Sequence, residues 1–198
     1  MELNETQSKI IDAVIIEYNK KGLKFTMDDI AKELHMSKKT IYREYADKEE
    51  LFSQMVDYCF DSIKEKEKQV IEDDSLEFNE KLSKLLIALP DKLVNVDFSN
   101  LFSVKEKYPK LYQKVEGRLE NNWEDTIALI EQGKKEGKLR KDFNTDVFKA
   151  IVEASFEKFL SSDVLVKSGL DYDSALVEMV KILMAGIMND KEKAKIKK

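Results

Sequence analysis

Residues 26–52 read TMDDIAKELHMSKKTIYREYADKEELF, and this stretch decides the fold. Thr26-Met27-Asp28-Asp29 has the form of a capping box, a hydroxyl at a helix start with an acid three residues on. Ile30, Ala31 and Leu34 then share one side of a short helix. Past His35-Met36, Ser37 is a second N-cap candidate, and the helix it opens carries Ile41 and Tyr45 inward. Small Ala31 permits close helix crossing, and Leu34 and Met36 flank the turn. Two short helices so joined form a helix-turn-helix, whose second helix can lie in the major groove of DNA.

The outward positions of that second helix suit such a role. Lys38, Lys39 and Arg43 are cations that neutralise phosphates, and Ser37, Thr40 and Tyr42 carry hydroxyls that reach phosphate oxygens or base edges. Thr26 opens the preceding helix and Lys48 the following one, both places where helix N–H groups and the dipole receive a phosphate. On residue types alone, the same face also suits plain solvation.

The segment resembles the DNA-binding domain of the TetR (tetracycline-repressor-like) transcriptional regulators. The likeness runs through Thr26, Ile30-Ala31, Leu34, Ser37-Lys38, Thr40-Ile41-Tyr42, Tyr45, Lys48-Glu49 and Leu51-Phe52, and it covers residues 5–55 or so. It departs at three positions. His35 stands where the family's turn usually has Gly, so a positive φ is expected there, which His tolerates better than most residues. Lys39 replaces a Gly or small residue, and Ala46 a common Pro.

The resemblance implies an all-α homodimer of roughly nine helices: a helix-turn-helix DNA-binding domain at 1–48, a helical ligand-binding and dimerisation domain at 49–189, and a Lys-rich tail at 190–198. Partners implied are a pseudo-palindromic double-stranded operator, a second copy of the chain and a small effector, apolar or amphipathic; no cofactor is called for. The expected dimer surface is the last two helices, with Phe148, Val152, Phe156, Leu176, Val180 and Leu183 meeting their twofold mates. Candidates for lining an effector cavity are Met55, Tyr58, Cys59, Leu86, Leu89, Phe98, Phe102, Tyr108, Tyr112, Trp123, Phe156 and Phe159, which serve equally well as ordinary core.

Outward from the motif the periodicity stays helical. Ile10, Ile11, Val14, Ile15 and Tyr18 form a stripe that ends at Gly22. Leu51, Phe52, Met55, Val56, Cys59 and Ile63 continue a long helix to a break at Asp73-Asp74-Ser75. Leu82, Leu85, Leu86 and Leu89 stop at Pro90, and residues 90–110 are the least regular. One long helix is read over 110–136, with its exit marked by Gly133 and Gly137, then two more over 145–166 and 172–188.

The 198 residues are 42% hydrophobic and 37% charged, which excludes disorder, and six Gly with two Pro exclude a turn-rich β fold. One Cys and one His give neither a disulfide framework nor a zinc tetrad. His35 reads as a turn residue before a proton switch, and Cys59 as a small core residue before a redox sensor. Acid–Lys alternation reads as solvated pairs rather than a catalytic dyad. An acidic N-terminus is unlike a signal peptide, and no apolar run reaches membrane-spanning length, so a cytoplasmic location is expected.

The net charge of −5 argues against nucleic acid only until it is resolved along the chain. Residues 32–43 hold four cations and one acid. That short basic face on an acidic bulk predicts binding that is weak off the operator and fades quickly with salt. The readings weighed are therefore a ligand-responsive DNA-binding repressor, a helical protein-binding adaptor without DNA specificity, and a helical enzyme. The last has least support, because no nucleophile–base set is visible.

Overall fold

Four side-chain caps start the first four helices. Asn4 caps α1 (Glu5–Lys21), Thr26 caps α2 (Met27–Glu33), Ser37 caps α3 (Lys38–Glu44) and Asp47 caps α4 (Lys48–Glu72). In each, the side-chain oxygen accepts the N–H of the third helical residue, one of the donors a helix start leaves without a partner. The computed structural model describes residues 3–90, 93, 102–121 and 123–189, without the side chains of Phe102 and Ser103. The chain continues with α5 (Phe78–Leu86), α6 (Phe102–Lys107), α7 (Pro109–Glu120), α8 (Glu124–Lys135), α9 (Thr145–Ser161), α10 (Val164–Ser168) and α11 (Tyr172–Ile187). Among the described residues there is no strand beyond one bridge, Leu139 with Met188. Phe98 and the tail at 190–198 lie outside the described residues.

The break after α4 falls as expected, where the Asp73 carboxylate accepts the Ser75 N–H at 2.9 Å. The single helix expected over 110–136 is instead two. Asn121 Nδ2 donates to the Gly117 carbonyl at 2.5 Å and Trp123 Nε1 to the Leu119 carbonyl at 3.1 Å. These side chains take carbonyls that a continuing helix would use, so α7 closes and α8 starts afresh. The helix expected over 145–166 likewise ends at Ser162, whose hydroxyl donates to Lys158 O at 2.8 Å, and α10 follows as a separate turn.

Two apolar clusters hold the helices. The first joins α1–α3 to α4 through Ile10, Val14, Tyr18, Ile30, Ile41, Leu51 and Phe52, and extends over α6 and α7 through Val104, Leu111, Tyr112 and Val115. Phe52 is its hub, with ring centroids of Tyr18, Phe25 and Tyr108 at 5.6, 6.0 and 6.3 Å. The second gathers α5, α8, α9 and α11 around Leu82, Ile130, Phe148, Val152, Leu176 and Val180. Gly133 belongs to this second core rather than to a helix exit: a β-carbon there would collide with the Phe78 ring, so its bare backbone lets α5 and α8 touch. Gly137, at φ +71, is the true exit of α8.

Candidate DNA interface

The turn between α2 and α3 closes as a Schellman motif. Met36 N–H donates to Ala31 O at 2.9 Å and His35 N–H to Lys32 O at 3.1 Å. That pattern requires a left-handed residue, and His35 takes it at φ 52, the only non-glycine with positive φ among the described residues. Ile41 at 0% exposure packs α3 onto α2, and Ala31 is buried beneath it. The opposite side of α3 is left to solvent.

On that side Lys38, Lys39 and Arg43 are exposed and Tyr42 is 49% exposed. Lys38 is paired with Asp28 of α2. The Arg43 Nε donates to Glu44 at 3.2 Å, leaving its terminal nitrogens outward. Among the described residues Lys39 makes no ion pair. The Ser37 and Thr40 hydroxyls bond each other at 2.9 Å while Ser37 caps the helix. A phosphate or base approaching α3 thus meets Lys39, Tyr42 and the Arg43 fork first. Lys38 can join by giving up a surface pair of small worth.

Thr26 and Lys48 are placed differently. The Thr26 hydroxyl donates to Asp29 at 2.8 Å and accepts the Asp29 N–H, so it is committed to its capping box. The Lys48 ammonium donates to the carbonyls of Leu23 at 2.7 Å and Phe25 at 2.5 Å, and sits 3.9 Å from the centre of the Phe25 ring. Burial lowers its pKa, with Lys107 adding to the effect. Two of its three N–H bonds therefore clamp the start of α2 onto α4, and one is left over. That clamp draws on a residue 25 positions away and has no signal in local sequence.

The cavity candidates divide. Leu86, Leu89, Trp123 and Phe156 line a cavity of about 120 Å³ where α4, α5, α7, α8, α9 and α11 meet. Met55, Tyr58, Cys59, Tyr108 and Tyr112 do not; they belong to or pack on the first core, and Phe159 packs on the second. Phe102's side chain lies outside the description. Burial pushes the Cys59 thiol up to about 12, which keeps it from being a ready thiolate. The cavity also has members that sequence reading missed: Phe60, Ile63, Lys64 and Glu67 of α4, Arg118 of α7, and Tyr172 of α11. Charged residues at helical spacing look like solvated faces until the packing is known.

The dimer candidates need a correction. Phe148, Val152, Leu176 and Val180 are each no more than 5% exposed, inside their own chain's second core, so they cannot meet a twofold mate. Phe156 is on the cavity and Leu183 is half-buried against the same core. What α9 and α11 turn outward is the next stripe: Val147 at 57%, Ile151 at 47% and Ile182 at 67% exposure, with Ala154 and Ala185 beside them.

A helix-turn-helix with a cationic outward face, on an all-helical body, defines a DNA-binding regulator. Residues 10–55 match the family described as bacterial regulatory proteins, tetR family. The chain is 27% identical over 172 residues to the uncharacterized HTH-type transcriptional regulator YvaF of Bacillus subtilis, covering 87% of this chain and 90% of that one. It is 29% identical over 107 residues to IcaR of Staphylococcus aureus, a negative regulator of the biofilm operon icaADBC, covering 54% of this chain and 51% of IcaR. A TetR-family regulator from Marinobacter aquaeolei has the same fold at a TM-score of 0.70 and 15% identity, over 98% of this chain and 96% of that one. Residues 10–55 thus form a DNA-binding domain of the tetR family, on a chain similar over most of its length to an HTH-type transcriptional regulator.

Proposed function

We propose that the protein is a homodimeric repressor that leaves its operator when a small molecule enters the body of the fold. The observation that carries this is the pairing of an outward cationic α3 with an internal cavity on the same chain, joined by α4. A further support is that IcaR, similar over its half-length, is a negative regulator. The dimer forms through the outward stripes of α9 and α11, Val147, Ile151 and Ile182 packing against their mates as a four-helix bundle. This sets the two α3 helices about 34 Å apart, one turn of B-DNA. An effector that prefers another spacing shifts the population away from DNA. A regulator of this kind works in the cytoplasm.

In the DNA complex Lys39, Tyr42 and Arg43 make the leading contacts, with Ser37, Lys38 and Thr40 flanking them. Thr26 and Lys48 act chiefly by holding α2 in place. Selection of bound duplexes from a random pool should return a pseudo-palindrome. On that duplex, Lys39→Ala should lower the slope of log affinity against log salt by about 1. Ile151→Asp with Ile182→Asp should give monomers in sedimentation. A dimer that selects no duplex at low salt overturns the reading and leaves a helical adaptor.

A further inference from the structure

The cavity carries a chemical demand of its own. Its walls are apolar at Phe60, Ile63, Leu85, Leu86, Phe156 and Leu176. Trp123 adds only its ring face, because its N–H is given to Leu119 O. Three charged side chains also reach it. Lys64 and Glu67 face each other at 2.5 Å and so answer one another. Arg118 does not close in this way: its Nη2 donates to Asp61 at 2.5 Å and its guanidinium lies 5.3 Å from the centre of the Phe60 ring, but its Nε–H is buried without an acceptor. Few buried donors are left so, and a charged one costs more than a neutral one. A carboxylate supplies what is missing, since its two oxygens match adjacent guanidinium N–H groups.

We propose that the cavity takes a small organic acid with a compact apolar body, its carboxylate received by Arg118. This rests on the effector reading above and names the effector's class. Size follows from volume: an apolar cavity of about 150 Å³ holds one benzene ring, so this space of about 120 Å³ takes a body of at most about six carbons. The acid also competes for a guanidinium already in use. Arg118 is one rung of a two-rung ladder between α7 and α4; the other is Lys114, which donates to Asp57 at 2.5 Å and to the Ser53 hydroxyl at 2.7 Å. A ligand drawing on Arg118 loosens Asp61 and with it the hold of α7 on α4.

The test is calorimetric titration of the full chain with benzoate, benzylamine and toluene, which share a ring and differ in charge. Benzoate should bind best. Arg118→Gln should weaken benzoate by about tenfold or more and leave toluene unchanged, as expected for loss of a charged hydrogen bond. Should Arg118→Gln melt early, Arg118→Lys keeps the charge without the fork and should still weaken benzoate. Asp61→Asn should tighten it several-fold. Equal benzoate affinity in the wild type and a folded Arg118 variant overturns the proposal, and so does a preference for benzylamine. Duplex selection on the same preparations separates the two readings. DNA binding without benzoate binding removes the acid and keeps the regulator; benzoate binding without DNA binding does the reverse.

Discussion

The head, α1–α3 with the first turns of α4, and the body around the cavity are built on different terms. In the head, each helix start has a side-chain cap, and a charge network ties α1 to α2. Lys21 bridges Glu17 at 2.7 Å and Asp29 at 2.8 Å, and Lys20 bridges Glu17 at 2.9 Å and Glu33 at 2.8 Å. In the body, beside the second core lies a space of about 120 Å³, and one of its lining residues, Arg118, has a buried Nε–H without an acceptor. The head is specified for one shape; the body is left incomplete where something else can enter. On the proposed function, stability and responsiveness are divided along one chain.

That contrast can be broken at its joint. Phe52 belongs to both regions, as a head residue at 0% exposure stacked on Tyr108 of the body. Phe52→Ala should cost about 3–5 kcal/mol in denaturant unfolding. One shared transition that moves to lower denaturant shows the regions fold together; a split transition shows they do not. A smaller loss tests the body's packing. Gly133→Ala pushes a methyl into the Phe78 ring and should cost about 1–3 kcal/mol while leaving duplex affinity at saturating protein unchanged. The head should gain from His35→Gly, which relieves a left-handed conformation that costs a non-glycine residue roughly 1–2 kcal/mol, less the entropy glycine adds to the unfolded chain. A melting temperature that falls in this variant would mean the imidazole makes a contact worth more than the backbone strain.

The smallest effect is acid sensitivity. Lys21, then Thr26, hold the Asp29 carboxyl down to about 2, and Lys21 and Lys20 lower Glu17. A depressed carboxylate stabilises the fold above its ordinary pKa, and that contribution is lost as pH falls through the folded value. Protection of amides at the α1–α2 contact, relative to their intrinsic exchange, should therefore fall between pH 3.8 and about 2, and Asp29→Asn should shrink that step, leaving the share of Glu17.

The head was the legible part because its determinants are local. Thr26, Ser37 and Asp47 act on the third residue after them, and the left-handed turn at His35 follows from the helix on one side and the cap on the other. The body was less legible because α9 is apolar on two adjacent sides. Val147 and Phe148, Ile151 and Val152 are neighbouring pairs, and periodicity cannot say which member faces the chain's own core. The structure turns Phe148 and Val152 in and Val147 and Ile151 out. Arg118 and Lys64 were lost for a related reason: a long cation can lay its stem along a cavity wall, and its letter alone says only that it is charged.

The length of α4 has a mechanical consequence. At 25 residues it is an unbroken rod of about 37 Å, with one end sunk among the rings around Phe52 and the other forming a wall of the cavity at Phe60, Ile63 and Glu67. A rod cannot bend to absorb a disturbance; it pivots. A tilt of about 5° about Ile63 carries the start of α4, about 22 Å away, by about 2 Å, more than half the rise of one base pair along DNA. On the proposed function, a small ligand at the cavity would act on the recognition helix through this rod rather than through the loops.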